Sequence, residues 1–311
     1  MADLQRQESQ IRANLRKTPP PNALRWAELA VGPGSRVTRV AHLKGGISHA
    51  NHALAIADRG GQSHRFVLRR WARPDWKATD PEFDPRHEIT VLSLVSEIPV
   101  ATPEVVAADA DGEECDVPAL LLTRIPGQPP VNPRDLPSFL AQLARVLPVV
   151  HAAESRARNL LPAYQTFYEV ERLPPPSWSA DRSVWERALE IAASPPPAGP
   201  KSLIHHDYHP GNTLWSRGNL VGVVDWSYGS WGPPSVDVAH MRWNLAMEFG
   251  ARASDNLLTA YTNATGGIEY HPYWDIVTAL DVLPDLGLNL PPSSQLLRLE
   301  RHVGTATARL S

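Results

Sequence analysis

The chain has 311 residues, 42% of them hydrophobic, which at roughly 150 residues per domain allows two domains or lobes with a sizeable core. Thirty basic side chains against 33 acidic ones give a formal charge of −3, far from the strong positive balance of a nucleic-acid binder. No stretch approaches the roughly 18 apolar residues of a membrane span, and Cys115, the single cysteine, excludes an intramolecular disulfide and a thiolate metal cluster. The opening segment MADLQRQESQIRANLRK has no apolar signal core, so the expected location is the cytoplasm, with neither nucleic acid nor membrane as a partner. Oligomeric state is not legible. Charge is uneven: residues 1–80 carry 14 basic and 6 acidic side chains, and the remainder carries 16 and 27, a split that suits a cleft holding an anionic ligand on one side and a cationic one on the other.

From Arg36 to Trp71 the pattern predicts three strands in a meander, Val37–Leu43, Asn51–Ala57 and Arg65–Trp71, joined at Gly45-Gly46 and at Asp58-Arg59-Gly60-Gly61. Asp84 as N-cap and Pro85 at the first position open a helix with Ile89, Leu92 and Val95 on one face, which Pro99 ends. Two apolar runs, Glu104–Ala108 and Val117–Thr123, extend the sheet, and Pro126-Gly127 breaks the chain. The expected boundary follows from that break, with one lobe over 1–127 and the other over 128–311. The second lobe reads as helices over Pro137–Glu154, Ser183–Ala193, Ser235–Gly250, Ala253–Thr265, Tyr273–Leu283 and Ser294–Ala308. Among them lie short strands, Ser202–Ile204, Thr213–Ser216 and Leu220–Val224, the last two joined by Arg217-Gly218-Asn219 as a hairpin.

The densest polar segment, His205-His206-Asp207-Tyr208-His209-Pro210-Gly211-Asn212, sits just before that hairpin, and Asp225 just after it. In the pattern His-x-Asp-x-x-x-x-Asn, the aspartate can take a proton from an incoming hydroxyl while the asparagine offers a neutral oxygen to Mg²⁺. The hairpin folds Asp225, a second aspartate, back beside the loop to complete the metal site. An all-oxygen set of this kind suits Mg²⁺ bridging nucleotide phosphates.

These residues resemble the catalytic loop and metal-binding strand of the aminoglycoside phosphotransferase family, the small-molecule relatives of protein kinases. The resemblance runs from about Val37 to Gly250. It implies an α+β, two-lobed protein-kinase-like fold: an N-terminal nucleotide-binding lobe with an antiparallel sheet and one main helix, and a larger, mostly helical lobe for catalysis and substrate binding. It implies ATP and Mg²⁺ in the interlobe cleft, Asp207 as the catalytic residue, and Asn212 and Asp225 as metal ligands. Leu43-Lys44-Gly45-Gly46-Ile47-Ser48 resembles the loop over the ATP phosphates, which places Gly45, Gly46 and Ser48 at the nucleotide. Arg69 stands where kinases normally carry a phosphate-gripping lysine, Glu88 matches the acid that pairs with it, and the segment containing Thr123 and Ile125 resembles the hinge that holds the adenine edge. Asp237 resembles a carboxylate that braces the catalytic region. Two departures stand out: His206 occupies a position that often carries a small residue, and Asp225 is followed by Trp226-Ser227 instead of Phe-Gly.

The expected activity is transfer of the γ-phosphate to a hydroxyl of a small molecule. Residues 205–290 carry 9 acidic and 3 basic side chains, and Glu248, Asp255, Asp275, Asp281 and Asp285 could line a site for an aminoglycoside-like or other amine-bearing acceptor. Two alternatives stand beside this reading. One takes His205, His206, Asp207 and His209 as ligands of a metal-dependent hydrolase, although no second histidine pair at helical spacing completes such a site. The other keeps the fold but makes the chain a catalytically inactive nucleotide-binding protein.

Overall fold

The computed structural model describes residues 2–43, 48–79, 83–153, 157–267, 269–288 and 290–310. They fall into two compact units, Met1–Glu97 with Ala101–Pro126, and Ile98–Val100 with Gly127–Ser311.

In the first unit, helices α1 (Ala2–Leu15) and α2 (Pro21–Val31) precede strands β1 (Arg36–His42), β2 (Ala50–Ala57) and β3 (Ser63–Arg70). A single turn, α3 (Trp76–Thr79), and helix α4 (Pro85–Val95) lead to β4 (Val105–Asp109) and β5 (Ala119–Thr123). The sheet runs β1-β2-β3-β5-β4 with every pair antiparallel. The β2–β3 turn is set by Asp58, whose Oδ1 accepts the N–H groups of Gly60 and Gln62. Between β4 and β5 the Asp109 carboxylate accepts four N–H groups, from Gly112 to Cys115, which carries β4 one residue beyond the expected end.

Neither α1 nor α2 is expected from the sequence pattern. Pro21 starts α2 at a position where a missing N–H costs nothing, and Ala23, Trp26 and Ala27 pack it against Leu54, Ile56, Leu68 and Leu121 of the sheet. In α4 the Asp84 side chain caps the helix by accepting from His87 N, as the sequence implies. Of the expected face Leu92 and Val95 are buried, Ile89 is half-buried, and Glu88 and Val91 are buried as well. Glu88 is turned inward to Arg69 on β3.

The second unit contains α5 (Leu136–His151), α6 (Ala157–Leu160), α7 (Arg182–Ala192), β6 (Ser202–Ile204), β7 (Thr213–Ser216), β8 (Asn219–Val223) and β9 (Ser230–Gly232). It ends in α8 (Ser235–Phe249), α9 (Ala251–Thr265), α10 (Tyr273–Asp281), α11 (Leu283–Leu288) and α12 (Ser293–Ala308). Trp185 of α7, Val236 and Trp243 of α8, Trp274, Ile276 and Leu280 of α10, and Leu299 and Val303 of α12 share one core. The expected helix over 273–283 is two helices. Pro284 has no N–H and its ring clashes with the carbonyl four residues back, so α10 stops at Asp281.

The strand β9, unexpected in the sequence reading, pairs with β6. The hairpin β7–β8 closes on Arg217 and Gly218 alone, with φ of 51° and 81°, while Asn219 already pairs with Ser216 in the ladder. At the start of this unit Gly127 adopts φ 153°, and a Cβ there would meet Val221 Cγ2 at 2.9 Å, so glycine is required where Gln128 bridges to Trp215.

Candidate active site

The loop after β6 is held by its backbone. Asp237, in the first turn of α8 and fully buried, accepts His205 N on Oδ2 and His206 N on Oδ1, both at 2.8 Å. His151, the last residue of α5, places Nε2 3.1 Å from the same Oδ2. This carboxylate therefore braces the residues immediately before Asp207. His206 adopts φ 72°, a left-handed conformation that disfavours side chains, which accounts for small residues suiting this position. Here the ring is retained by stacking on Phe167, 4.4 Å between centroids at 11°, and by Nδ1 lying 3.2 Å from Ser230 Oγ.

After Asp207, Tyr208 buries its ring and donates its hydroxyl to Leu143 O at 3.1 Å, so the two neighbours of Tyr208 are returned toward the polar side of the loop. A single 3₁₀ turn over Pro210–Asn212 then delivers Asn212. Its Nδ2 donates to both the backbone O and the Oδ2 of Asp207, each at 2.9 Å. Asn212 O in turn accepts Val224 N at 2.9 Å, and Thr213 pairs with Val223. The hairpin thus returns the chain one residue short of Asp225. Asp225 adopts φ 67°, Trp226 beneath it is buried with Nε1 donating to Val223 O, and Ser227 Oγ donates to Asp225 Oδ1 at 3.0 Å. Asp207, Asn212 and Asp225 are brought together by one loop and one hairpin. Asn212 uses its amide nitrogen on Asp207, so the oxygen groups the two residues present are the Asn212 carbonyl and the Asp225 carboxylate, whose Oδ1 accepts Ser227 Oγ. One neutral and one anionic oxygen group fit Mg²⁺.

Burial works to raise the pKa of Asp207, but the neighbouring His209 and His240 outweigh it and hold the carboxyl well below its ordinary range. Burial works equally against protonation of His209, yet Asp207 raises it. His205 is fully buried, which lowers it, and its Nε2 lies 3.0 Å from Val224 O. It shapes the loop. Burial pushes His206 down to about 4.

In the first unit, Arg69 on β3 sends Nη1 to Glu88 Oε1 at 2.8 Å and Nε to Asn51 Oδ1 at 3.2 Å; Arg69 is 5% exposed and Glu88 1%. Ser48 lies half-buried just ahead of β2. Thr123 accepts Glu104 N on Oγ1, and its own N–H goes to Glu104 O, so its polar groups close the sheet edge; Ile125 follows, half-buried. Gly45 and Gly46 lie outside the described residues.

Two sequence expectations are corrected. Asp275 is 1% exposed and paired with Arg242 (2.9 Å) and His302 (3.3 Å), so it is removed from any ligand-facing set. Asp281, 7% exposed, accepts the N–H groups of Phe167 and Tyr168, and is likewise spent inside the protein. The hydrolase alternative also loses its ligands: His205 and His206 turn to Val224 and Ser230, and among the described residues no group of three or more His, Cys, Asp or Glu is arranged to hold a metal ion. Among the described residues no helix is long and apolar enough to cross a membrane. Sequence reasoning missed His151, His240 and Asn51. None stands near the loop in the chain, and only the i, i+3 spacing of Asp237 and His240 on one helix offers a signal.

The chain matches the sequence profile of the phosphotransferase enzyme family over residues 40–275. No curated protein matches it significantly by sequence. Among solved structures it is similar to a macrolide 2'-phosphotransferase type I (19% identity, 95% of this chain and 99% of that one, TM-score 0.59). It is also similar to APH(2")-IIia in complex with GDP and kanamycin (17% identity, 92% and 97%, TM-score 0.61). A third is choline kinase LicA from Streptococcus pneumoniae (16% identity, 88% and 94%, TM-score 0.59). At these identities the likeness shows the fold, which is the α+β fold of the protein-kinase-like phosphotransferases.

Proposed function

The chain belongs to the phosphotransferase enzyme family, and we propose that it is a small-molecule kinase that moves the γ-phosphate of ATP to a hydroxyl of an amine-bearing acceptor. The observation that carries this reading is the junction of Asn212 with Asp207 Oδ2 at 2.9 Å, beside a hairpin whose last strand ends at Val223, two residues before Asp225. Those three side chains are the ones this chemistry needs.

Asp207 is ionised at neutral pH and accepts the O–H of the incoming alcohol, turning an oxygen lone pair toward phosphorus. A carboxylate this weakly basic contributes mainly orientation at first. It takes the proton as the O–P bond forms, and the products are a phosphate monoester and ADP. Phosphoryl transfer asks for little more, since its transition state is loose and its cost lies in alignment and charge. Arg69, fixed by Glu88, supplies positive charge to the phosphates. Asn212 and Asp225 would hold Mg²⁺, which neutralises charge on the β- and γ-phosphates when bound. The amine-bearing class is supported by the kanamycin and choline named for two structural neighbours.

An acceptor panel followed by ADP release tests this reading. Amino sugars and amino alcohols should stimulate ADP release from ATP and Mg²⁺. Release stimulated only by neutral or anionic sugars would overturn the acceptor class, and substrate cleavage without nucleotide would favour the hydrolase.

A further inference from the structure

Asp237 and His240 lie three residues apart on α8 and so share one face of that helix. Asp237 grips the backbone ahead of Asp207 through the N–H groups of His205 and His206. His240 reaches the Asp207 side chain itself, with Nε2 3.2 Å from Oδ1. At that separation the ring nitrogen and the carboxylate oxygen form a close polar pair, which a proton on Nε2 makes attractive. Trp243, one further turn along α8, packs on the ring at 5.0 Å between centroids and limits its rotation. The other oxygen, Oδ2, is taken by Asn212 Nδ2 at 2.9 Å. His209 does not supply an equivalent hold. Its Nδ1 accepts Gly211 N–H, which puts its proton on Nε2, but that atom is 3.7 Å from Oδ2 and beyond hydrogen-bond reach.

We propose that His240 is a positioning residue: with Asn212 it fixes the Asp207 carboxylate from both sides, so that α8 sets both the backbone and the side-chain orientation of the residue that receives the acceptor hydroxyl. The inference rests on the reading of Asp207 given above. It matters because Asp207 keeps 27% of its side chain exposed and would otherwise be free to turn about its last torsion, and a small misalignment of a reacting group costs rate far out of proportion to its energy. His240, 13% exposed, is close enough to the surface for its replacement to be tolerated.

The test compares the full chain with H240Q, which keeps an N–H donor at similar reach, H240M, which keeps bulk without a donor, and D207A. The readout is ADP release from ATP and Mg²⁺ with the amino sugar or amino alcohol that stimulates release most, together with thermal unfolding. H240M should lose roughly tenfold or more in kcat with the KM for ATP unchanged, and H240Q should recover most of that loss. The positioning role is overturned if H240M keeps the wild-type kcat, if H240Q falls as far as H240M, or if kcat follows a lowered unfolding temperature equally in both variants. A D207A rate equal to a wild-type rate that stands above the no-enzyme blank overturns the reading of Asp207 instead.

Discussion

Arg69 and Glu88 meet in a buried ion pair, Nη1 to Oε1 at 2.8 Å, that joins β3 to α4. The same guanidinium reaches Asn51 Oδ1 through Nε, so its fork serves two partners in two directions. A lysine offers one point charge on a flexible stem and cannot reproduce that geometry. R69K should therefore remain folded, with ATP turnover reduced by about tenfold or less. R69M leaves Glu88 as a buried carboxylate without this cation and should cost about 3–5 kcal/mol of stability. Thermal unfolding and the KM for ATP check this, and an R69M protein with wild-type values of both would contradict it.

Asp225 occupies a left-handed backbone conformation, where asparagine is tolerated better than most residues. D225N should keep the wild-type unfolding temperature while losing the anionic oxygen assigned to Mg²⁺. Turnover should fall by about a hundredfold or more, with a higher Mg²⁺ concentration needed for half-maximal rate. Titration of the rate with Mg²⁺ measures both; an unchanged Mg²⁺ dependence would remove Asp225 from the metal site.

Asp281 carries a pH dependence of the opposite sign to Asp207. Burial, only partly offset by the N–H groups of Phe167 and Tyr168 and reinforced by Asp285, pushes its carboxyl up to about 7. The buried Tyr164 hydroxyl is near it and adds no positive charge. An ordinary aspartic acid titrates near 4 in the unfolded chain, so the folded protein holds this proton across the window from about 4 to 7. The stability this provides is complete below about pH 4 and lost as pH rises through 7. D281N is neutral throughout and should gain on wild type as pH rises from 5 to 8. Unfolding curves of the two proteins across that range measure the gap; a gap that stays flat would contradict the assignment.

Most of the sheet and the loop over residues 205–212 were legible because their signals are local. Asp58 with its glycines, the Asp84-Pro85 helix start and the Arg217-Gly218 turn each specify conformation within a few residues. Asp207, Asn212 and Asp225 could be brought together on paper because a short hairpin leaves few ways to connect them. What escaped was set by tertiary contact. The helix α2 gains its place from Trp26 packing on Leu54 and Leu68, and β9 exists only because β6 lies beside it. Asp275 looked like a ligand acid in composition, yet Arg242 and His302 claim it inside the core. His240 approaches Asp207 only once α8 is docked, and no spacing in the sequence states that distance.

The most direct test is nucleotide binding and phosphate transfer measured side by side in D207A. The account predicts that ATP with Mg²⁺ binds within about threefold of wild type while acceptor-dependent ADP formation falls by about a thousandfold or more, because Asp207 acts on the hydroxyl and not on the nucleotide. Wild-type turnover in D207A, or loss of ATP binding together with turnover, would contradict it.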